Sequence, residues 1–587
     1  MSAPPIPRDG NAAVIASPVK TLFFGQVPED VVFPFPRIEP EEREIVSAFL
    51  GSFRDFTKDH VDPGRFDREH AIPPDVVRGL ADLGAFGMII PEAYGGYGFS
   101  SSAYCRVTEE IGRTDASLGI LIGGHQSIGL KGLVLFGTEE QKRKWLPGLA
   151  AGEMIAAFAL TEPEAGSDAA SIRTTAEFDE ATNTFVLNGT KHWISNGGFA
   201  KFFTVFAKDT KLDAKDEHRR ITAFVVTKDL GGVNPGPEEK KLGLKASSTV
   251  SIELKDVRVP AANVLGERGQ GFKIAVEILN TGRTSLGAGC VGGSKKMIAL
   301  AAAQATQRRQ FGTRIADFEM IRSKFSRMVV NTYALESMVY LTAGLVDRGL
   351  ADYSLEGACC KVFGTESVWQ TINDALQIAG GNGFMEEYPY ERALRDSRVN
   401  MIFEGTNEIL RVLIALSGMK DVGEGLQEVG RALKAPLSSL GILSDYAARR
   451  VRRTLPASRL SSIHPELATE GELVANYARV TGGAVETLLR KYGKGVIAKE
   501  YHLERLANIM IDLYASVAVL SRATSALQAA DVRKSEEEAR LAKLFVQTAR
   551  RRIVGNLKDM DRNVDPDLTA VSESAYRELG YAFSLWE

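Results

Sequence analysis

The apolar spacing of this chain changes period twice, and that switch limits the folds open to it more than any other feature. From Glu41 to about Ala151, apolar residues recur at three- and four-residue intervals in Glu41–Phe56, Asp75–Leu83, Ser101–Arg113 and Glu139–Leu149. This is the spacing of helices that bury one face. From Ala156 to about Val264 it gives way to short β-type runs, TTAEF, TFVLNG, FFTVFAK, ITAFVVT and VSIELKDVRVP, with turn residues such as Asn183 and Asn188–Gly189 between them. After Gly266 the helical period returns over 271–305, 319–348, 354–379 and 404–416, and a last helical block runs from about 424 to the C-terminus. The order predicts an α+β chain: an N-terminal extension (1–38), a helical domain (39–155), a middle antiparallel β-domain (156–270), a helical bundle (271–420) and an extra helical domain (421–587). The extension, rich in Pro, Gly and small residues, reads as an extended lead-in.

Composition removes several function classes. A chain of 587 residues is too long for one core. A net charge of -3 gives no electrostatic footprint for nucleic acid. The cysteines, Cys105, Cys290, Cys359 and Cys360, form no CxxC pair and have no histidine set nearby. Neither a metal site nor a disulfide framework is therefore expected, and a reducing compartment fits. There is no run of about 18 apolar residues that would span a bilayer. The N-terminus carries Asp9, few arginines and no basic-then-apolar leader, so the expected location is cytoplasmic. The motifs GxxxxGK[ST], HExxH and GxSxG are missing and no GxGxxG opens a strand–turn–helix, which argues against nucleotidases, metallopeptidases, serine hydrolases and doubly wound nicotinamide enzymes.

The segments that stand out are FALTEPEAGSD (158–168), WISNGG (193–198), RRQFG (308–312) with QIAGGNGF (377–384), and IFEGTNEILR (402–411). Together with PEAYGGYG, KHWISNGG, LKDVRVP and GERGQGF, in register from about Glu41 to Ser417, they resemble the acyl-CoA dehydrogenase family. SSIHPELATEGEL (461–473), LANIMIDLYASVAVLSRA (506–523) and ILNTGR (278–283) are similar to its C-terminally extended, very-long-chain branch.

The resemblance implies a FAD enzyme, without a dinucleotide fold, that desaturates long-chain acyl-CoA and passes electrons to an electron-transfer flavoprotein. Glu404 would be the α-proton base. Its setting between Phe403 and Gly405 is one that raises a carboxylate's pKa toward a useful value. The competing reading is a carboxylate placed at a helix N-terminus by the dipole. Some branches carry the base on the earlier helix, where this chain has Gly282. By the same resemblance Phe158, Leu160, Thr161 and Ser167 approach the flavin or substrate, and Trp193, Ile194 and Ser195 cover its ring. Trp193 also reads as an ordinary core aromatic. Arg308, Phe311, Gln377, Gly380 and Gly381 would meet the pyrophosphate and adenosine across a homodimer interface, since an arginine and glycine-exposed N–H groups suit a diphosphate. Arg308 also reads as a solvated helix residue. Thr406, Asn407 and Glu408 would complete the cofactor site, and Ser167, Asn280, Arg283 and Gly405 the substrate site.

Gly119, Gly123 and Gly124 lie where the family's acyl tail runs, and would keep a long tunnel open or simply allow close helix packing. Arg449, Arg450, Arg452 and Arg453 form a basic cluster suited either to peripheral contact with anionic lipid or to a solvated face. Two rival functions remain: an acyl-CoA oxidase with the same flavin chemistry, and an assembly protein that kept the fold. Retention of Glu404 and the flavin set argues against the second.

Overall fold

The computed structural model describes residues 15–212, 215–432, 459–529 and 532–586. The chain divides into two compact units, Val31–Leu410 and Arg411–Glu587, the second also taking in Pro18–Asp30.

In the first unit the helical opening forms as Pro40–His60, Pro74–Asp82, Ser101–Thr114 and Glu139–Ala150. Their starts carry local capping signals. Ser100 accepts from the Ala103 N–H, and Thr138 and Gln141 form a reciprocal capping box. A bundle follows in Gly271–Gln307, Glu319–Asp347 and Ser354–Ala379. The first and third of these run parallel: a Cβ on Gly357 would meet Thr284, one on Gly364 would meet Leu335 and Gly287, and one on Gly293 would meet Val368. Glycine also lets Ser101–Thr114 touch Gly271–Gln307 backbone to backbone. A Cβ on Gly292 would fall 1.8 Å from the Glu109 carbonyl.

The β-region forms one sheet of eight strands: β1 Ala156–Ala159, β2 Thr175–Asp179, β3 Thr184–Ser195, β4 Phe202–Asp209, β5 Ile221–Thr227, β6 Val233–Glu238, β7 Thr249–Pro260 and β8 Val264–Leu265. The order is β6-β7-β3-β2-β4-β5-β8, with β1 on β4. The alternating pattern predicts an antiparallel sheet, and most pairs are antiparallel, but β1 and β2 both pair parallel to β4. They lie end to end, β1 along Phe202–Val205 and β2 along Lys208–Asp209. The chain between them therefore leaves the sheet part-way along β4, which lifts the 160–174 segment out as a loop.

The second unit is built on Ala468–Tyr492, Glu500–Leu527, Val532–Asp561 and Asp565–Arg577. Against the expected extended lead-in, Pro18–Phe23 is a helix with Val19, Leu22 and Phe23 fully buried in this unit. A Cβ on Gly418 would lie 2.1 Å from the Phe23 ring. Two segments, Ala116–Phe136 and Glu500–Leu527, have the length and mean hydropathy (1.3) of a spanning helix, but are 61% and 89% buried inside the protein. Their apolar character is accounted for by core packing. The arginine cluster 449–453 lies outside the described residues.

Candidate active site

Glu404 does not sit on a helix. The chain turns tightly after Met401, and the helix Asn407–Ala432 begins three residues beyond Glu404. Thr406 provides the cap, its hydroxyl accepting from the Ile409 N–H at 3.3 Å. Glu404 and Gly405 both take positive φ, 56° and 90°. That conformation is strained for a glutamate and turns its carboxylate inward. There it rests on Gly282: a Cβ at that position would lie 2.7 Å from Oε2 and 2.8 Å from Oε1. Oε2 is buried with no hydrogen-bond partner. Burial raises the carboxyl pKa from 4.5 to about 7, and the charges of Arg283 and Lys361 pull back against it. The helix-dipole reading therefore gives way to desolvation as the dominant influence.

Two buried cations build the turn. Lys361 is fully buried, and its Nζ donates to the Gly405 carbonyl and to Asn407 Oδ1, each at 2.8 Å. Desolvation lowers its pKa to about 8. Arg283 donates from Nε to the Glu404 carbonyl at 3.3 Å and from Nη1 to Asn280 Oδ1 at 3.2 Å. Asn407 spends its amide on Thr365 Oγ1 (3.1 Å) and Glu366 Oε1 (3.0 Å). Asn280, Arg283, Gly405 and Asn407 are thus committed to holding the base, whatever else they touch; Glu408 is exposed beside them.

The sheet supplies a second surface. Between Lys191 and Ile194 the β3–β7 register slips, and Trp193 takes φ 55° with 60% of its surface exposed. A bulge of this kind re-aims a side chain, here turning the indole out of the sheet, so the core-aromatic reading of Trp193 does not hold. Ile194 points the other way, 2% exposed in the core of the sheet, so its side chain does not face outward as a ring cover would. The reason is period two: neighbours on a strand take opposite faces. Ser195 is half-buried beside it. Phe158, Leu160 and Thr161 lie along β1 and its exit, and Ser167 is exposed on the loop. That loop is pinned by a buried ion pair: Lys191 Nζ meets Glu162 Oε1 at 2.7 Å, and Glu162 also accepts from the Arg173 and Thr174 N–H groups.

Arg308, Phe311, Gln377, Gly380 and Gly381 are all exposed. Because their two helices run parallel, Arg308 and Gln377–Gly381 emerge at the same end of the bundle. Phe311 is 95% exposed at φ 52°, and Gly380 takes φ 63° where a side chain is disfavoured. An arginine, bare glycine backbone and an unpacked aromatic are groups that fit a dinucleotide's diphosphate and rings.

Among the tunnel glycines, Gly119 and Gly123 face space: a Cβ would meet nothing nearer than 3.8 Å. Gly124 does not, since a Cβ there would press on Asn196 Nδ2 at 3.1 Å. It opens a π-helical turn, Gly124–Gly129, and Asn196 donates to the Leu121 carbonyl at 3.0 Å beside it. The sequence reading missed Lys361, Asn196 and the Glu162–Lys191 pair. A lone lysine within the apolar run GACCKVFG was the available signal for the first.

Comparison with known proteins gives the same organisation. Profiles described as acyl-CoA dehydrogenase N-terminal, middle and C-terminal domains match residues 43–153, 157–257 and 269–419. A profile described as the ACAD9/ACADV C-terminal domain matches 465–578. The mitochondrial very long-chain specific acyl-CoA dehydrogenase of Homo sapiens is 45% identical over 86% of this chain and 78% of its own. A probable acyl-CoA dehydrogenase of Bacillus subtilis is 38% identical over 84% of this chain and 82% of its own. The crystal structure of an acyl-CoA dehydrogenase complexed with FAD from Bacillus anthracis superposes with a TM-score of 0.78, at 34% identity over 96% of both chains.

Proposed function

Because this chain belongs to the acyl-CoA dehydrogenase family, as a FAD-dependent oxidoreductase with the C-terminal domain of the very-long-chain type, we propose that Glu404 is the base that takes the α-proton of a long-chain acyl-CoA. The observation that carries this is the Glu404 carboxylate itself, buried on Gly282 with Oε2 unpartnered and a pKa of about 7. A base poised near neutrality, with an oxygen free to accept, is what abstraction α to a thioester requires. In the reaction the Cα–H bond breaks with its proton going to Glu404, the Cβ–H bond breaks with its electron pair, and a trans-2 double bond forms. FAD, when bound, supplies the acceptor for that hydride.

Lys361 and Arg283 hold the Glu404–Gly405 turn, so the carboxylate meets the substrate in one orientation. The outward indole of Trp193 and the residues of β1 form a surface suited to the flavin ring. Arg308, Phe311, Gln377, Gly380 and Gly381 are assigned to its pyrophosphate and adenosine. Exposed Phe311, Met320, Phe384 and Met385 on the bundle support a homodimer that covers them. The open faces of Gly119 and Gly123 favour a long acyl chain. An electron-transfer flavoprotein is the proposed acceptor; hydrogen peroxide formed in proportion to turnover would identify an oxidase instead. The test is anaerobic titration of the purified FAD enzyme with saturated acyl-CoAs of increasing length. Flavin bleaching that is strongest with long chains supports the reading, and no bleaching at any length overturns it.

A further inference from the structure

One cavity in the first unit has a mixed lining, in which hydroxyl and ammonium groups stand beside apolar side chains. Its volume is about 40 Å³, and eight of its thirteen lining residues carry a hydroxyl or an ammonium. Pockets for hydrocarbon are lined mainly by apolar side chains. Most of the hydroxyls are already used: Ser100 on Glu42, Thr284 on the Asn280 carbonyl, Ser285 on the Gly282 carbonyl, and Thr281 with Tyr353. Two groups are not. Tyr104 is 3% exposed, and its hydroxyl is buried without a partner. The Ser127 and Thr108 hydroxyls nearby spend their protons on the Gly123 and Tyr104 carbonyls. Lys131 makes no hydrogen bond or ion pair among the described residues. Asp347 is the acid whose field bears on it, yet both Asp347 oxygens are held by the Ser101 and Ser102 N–H groups, at 2.7 and 3.0 Å. Lys131 is partly exposed, and desolvation lowers its pKa to about 8.

The cavity adjoins the base. Thr281 and Ser285 flank Gly282, on which the Glu404 carboxylate rests, and the charge of Glu404 bears on Tyr104. Gly123, open on its free face, has Ser127 as its nearest neighbour. A chain running from the thioester past Gly282 and Gly123 would end against the Lys131 ammonium and the Tyr104 phenol. We propose that this cavity binds the far end of a substrate that carries its own carboxylate, making ω-carboxyacyl-CoA thioesters substrates of this enzyme beside plain acyl-CoAs. One ammonium and one phenol fit the two oxygens of a carboxylate, and charge-assisted bonds of this kind are the stronger ones. The preference falls at the chain length that spans the distance from Glu404 to this pair.

This inference rests on Glu404 as the base, and the experiment separates the two. Wild type, Lys131→Met and Tyr104→Phe, each purified with FAD, are reduced anaerobically with matched series of plain and ω-carboxyacyl-CoAs, following flavin bleaching. At one length wild type should reduce with the ω-carboxy thioester at a kcat/KM within about tenfold of its plain counterpart. Lys131→Met should lower that value by about tenfold or more, and Tyr104→Phe by about three- to tenfold, mainly in KM. Both variants should act on plain thioesters as wild type does, which also shows that they fold. Wild type that bleaches with plain thioesters but with no ω-carboxy thioester overturns the inference and leaves Glu404 untouched. Equal losses on both series in the two variants also overturn it, since the pair would then act in packing or on ordered water. Wild type inert to every thioester contradicts the base assignment and this inference with it.

Discussion

Replacing Lys361 with Met separates the two tasks of that lysine, holding the turn and setting the charge around the base. The side chain is fully buried, and its Nζ reaches the Gly405 carbonyl and Asn407 Oδ1 at 2.8 Å each. Each hydrogen bond from a charged donor contributes about 1.5–3 kcal/mol. The ammonium is also costly to bury, as its pKa of about 8 against 10.5 shows, so the two bonds and the desolvation largely offset. What remains is the cost of leaving the Gly405 carbonyl without its donor, about 1–3 kcal/mol, or a Tm lower by a few degrees, since Asn407 Oδ1 keeps Thr365 as a donor. The functional effect is larger. A turn at positive φ that loses its tie shifts the carboxylate, and a displacement of about 1 Å costs on the order of 100-fold in rate. Lys361 also favours the ionised form of Glu404, so its loss moves the pH profile of flavin reduction upward. Stopped-flow reduction across pH, beside thermal unfolding, measures both. A variant with wild-type rate and profile, or a profile moved to lower pH, would refute the reasoning.

Three further outcomes follow from the same geometry. In the wild type, kcat/KM for flavin reduction should rise with pH through about 7 and level off above it, because burial raises the Glu404 pKa and only the ionised form accepts a proton; a flat profile from pH 5 to 8 counts against it. Gly282→Ala puts a Cβ 2.7 Å from Oε2, so the protein should fold and hold FAD while reducing it about 10- to 100-fold more slowly; an unchanged rate would place the carboxylate elsewhere. Gly123→Leu should depress activity on long chains far more than on short ones, since each methylene denied burial forfeits about 0.8 kcal/mol; an equal loss at all lengths would show that this residue does not line the acyl path.

The periodicity located the main helices between Pro40 and Ala379 to within a few residues, because their capping signals, such as Thr138 with Gln141, are local, but it ended 404–416 well short of the helix Asn407–Ala432. It misjudged what depends on distant contacts. Pro18–Phe23 carries only Val19, Leu22 and Phe23 as an apolar stripe, too short to signal a helix until Gly418 provides a surface for it. Strand direction is likewise silent in an alternating pattern, so the parallel pairing of β1 and β2 with β4 could not be read there. The motifs put Glu404 in place, but not the strain and burial that make it a base. Those come from the Gly282 approach and from Lys361, on helices far away in sequence. Trp193 and Ile194 show the same limit: adjacent in one motif, one is turned outward at a register shift and the other is buried in the sheet core.

The most direct measurement is the reductive half-reaction of Glu404→Gln. The amide is nearly isosteric with the carboxylate and fits the same space on Gly282, so FAD content and acyl-CoA affinity should match wild type. It cannot take the α-proton, and removing a general base that also positions the reaction should slow flavin reduction by at least about 10²- to 10⁴-fold. Anaerobic mixing with a saturated long-chain acyl-CoA, followed through the flavin absorbance, gives the answer in one experiment. A flavin that stays oxidised while acyl-CoA binds is the predicted result, and bleaching at a rate near that of wild type would mean that the base lies elsewhere.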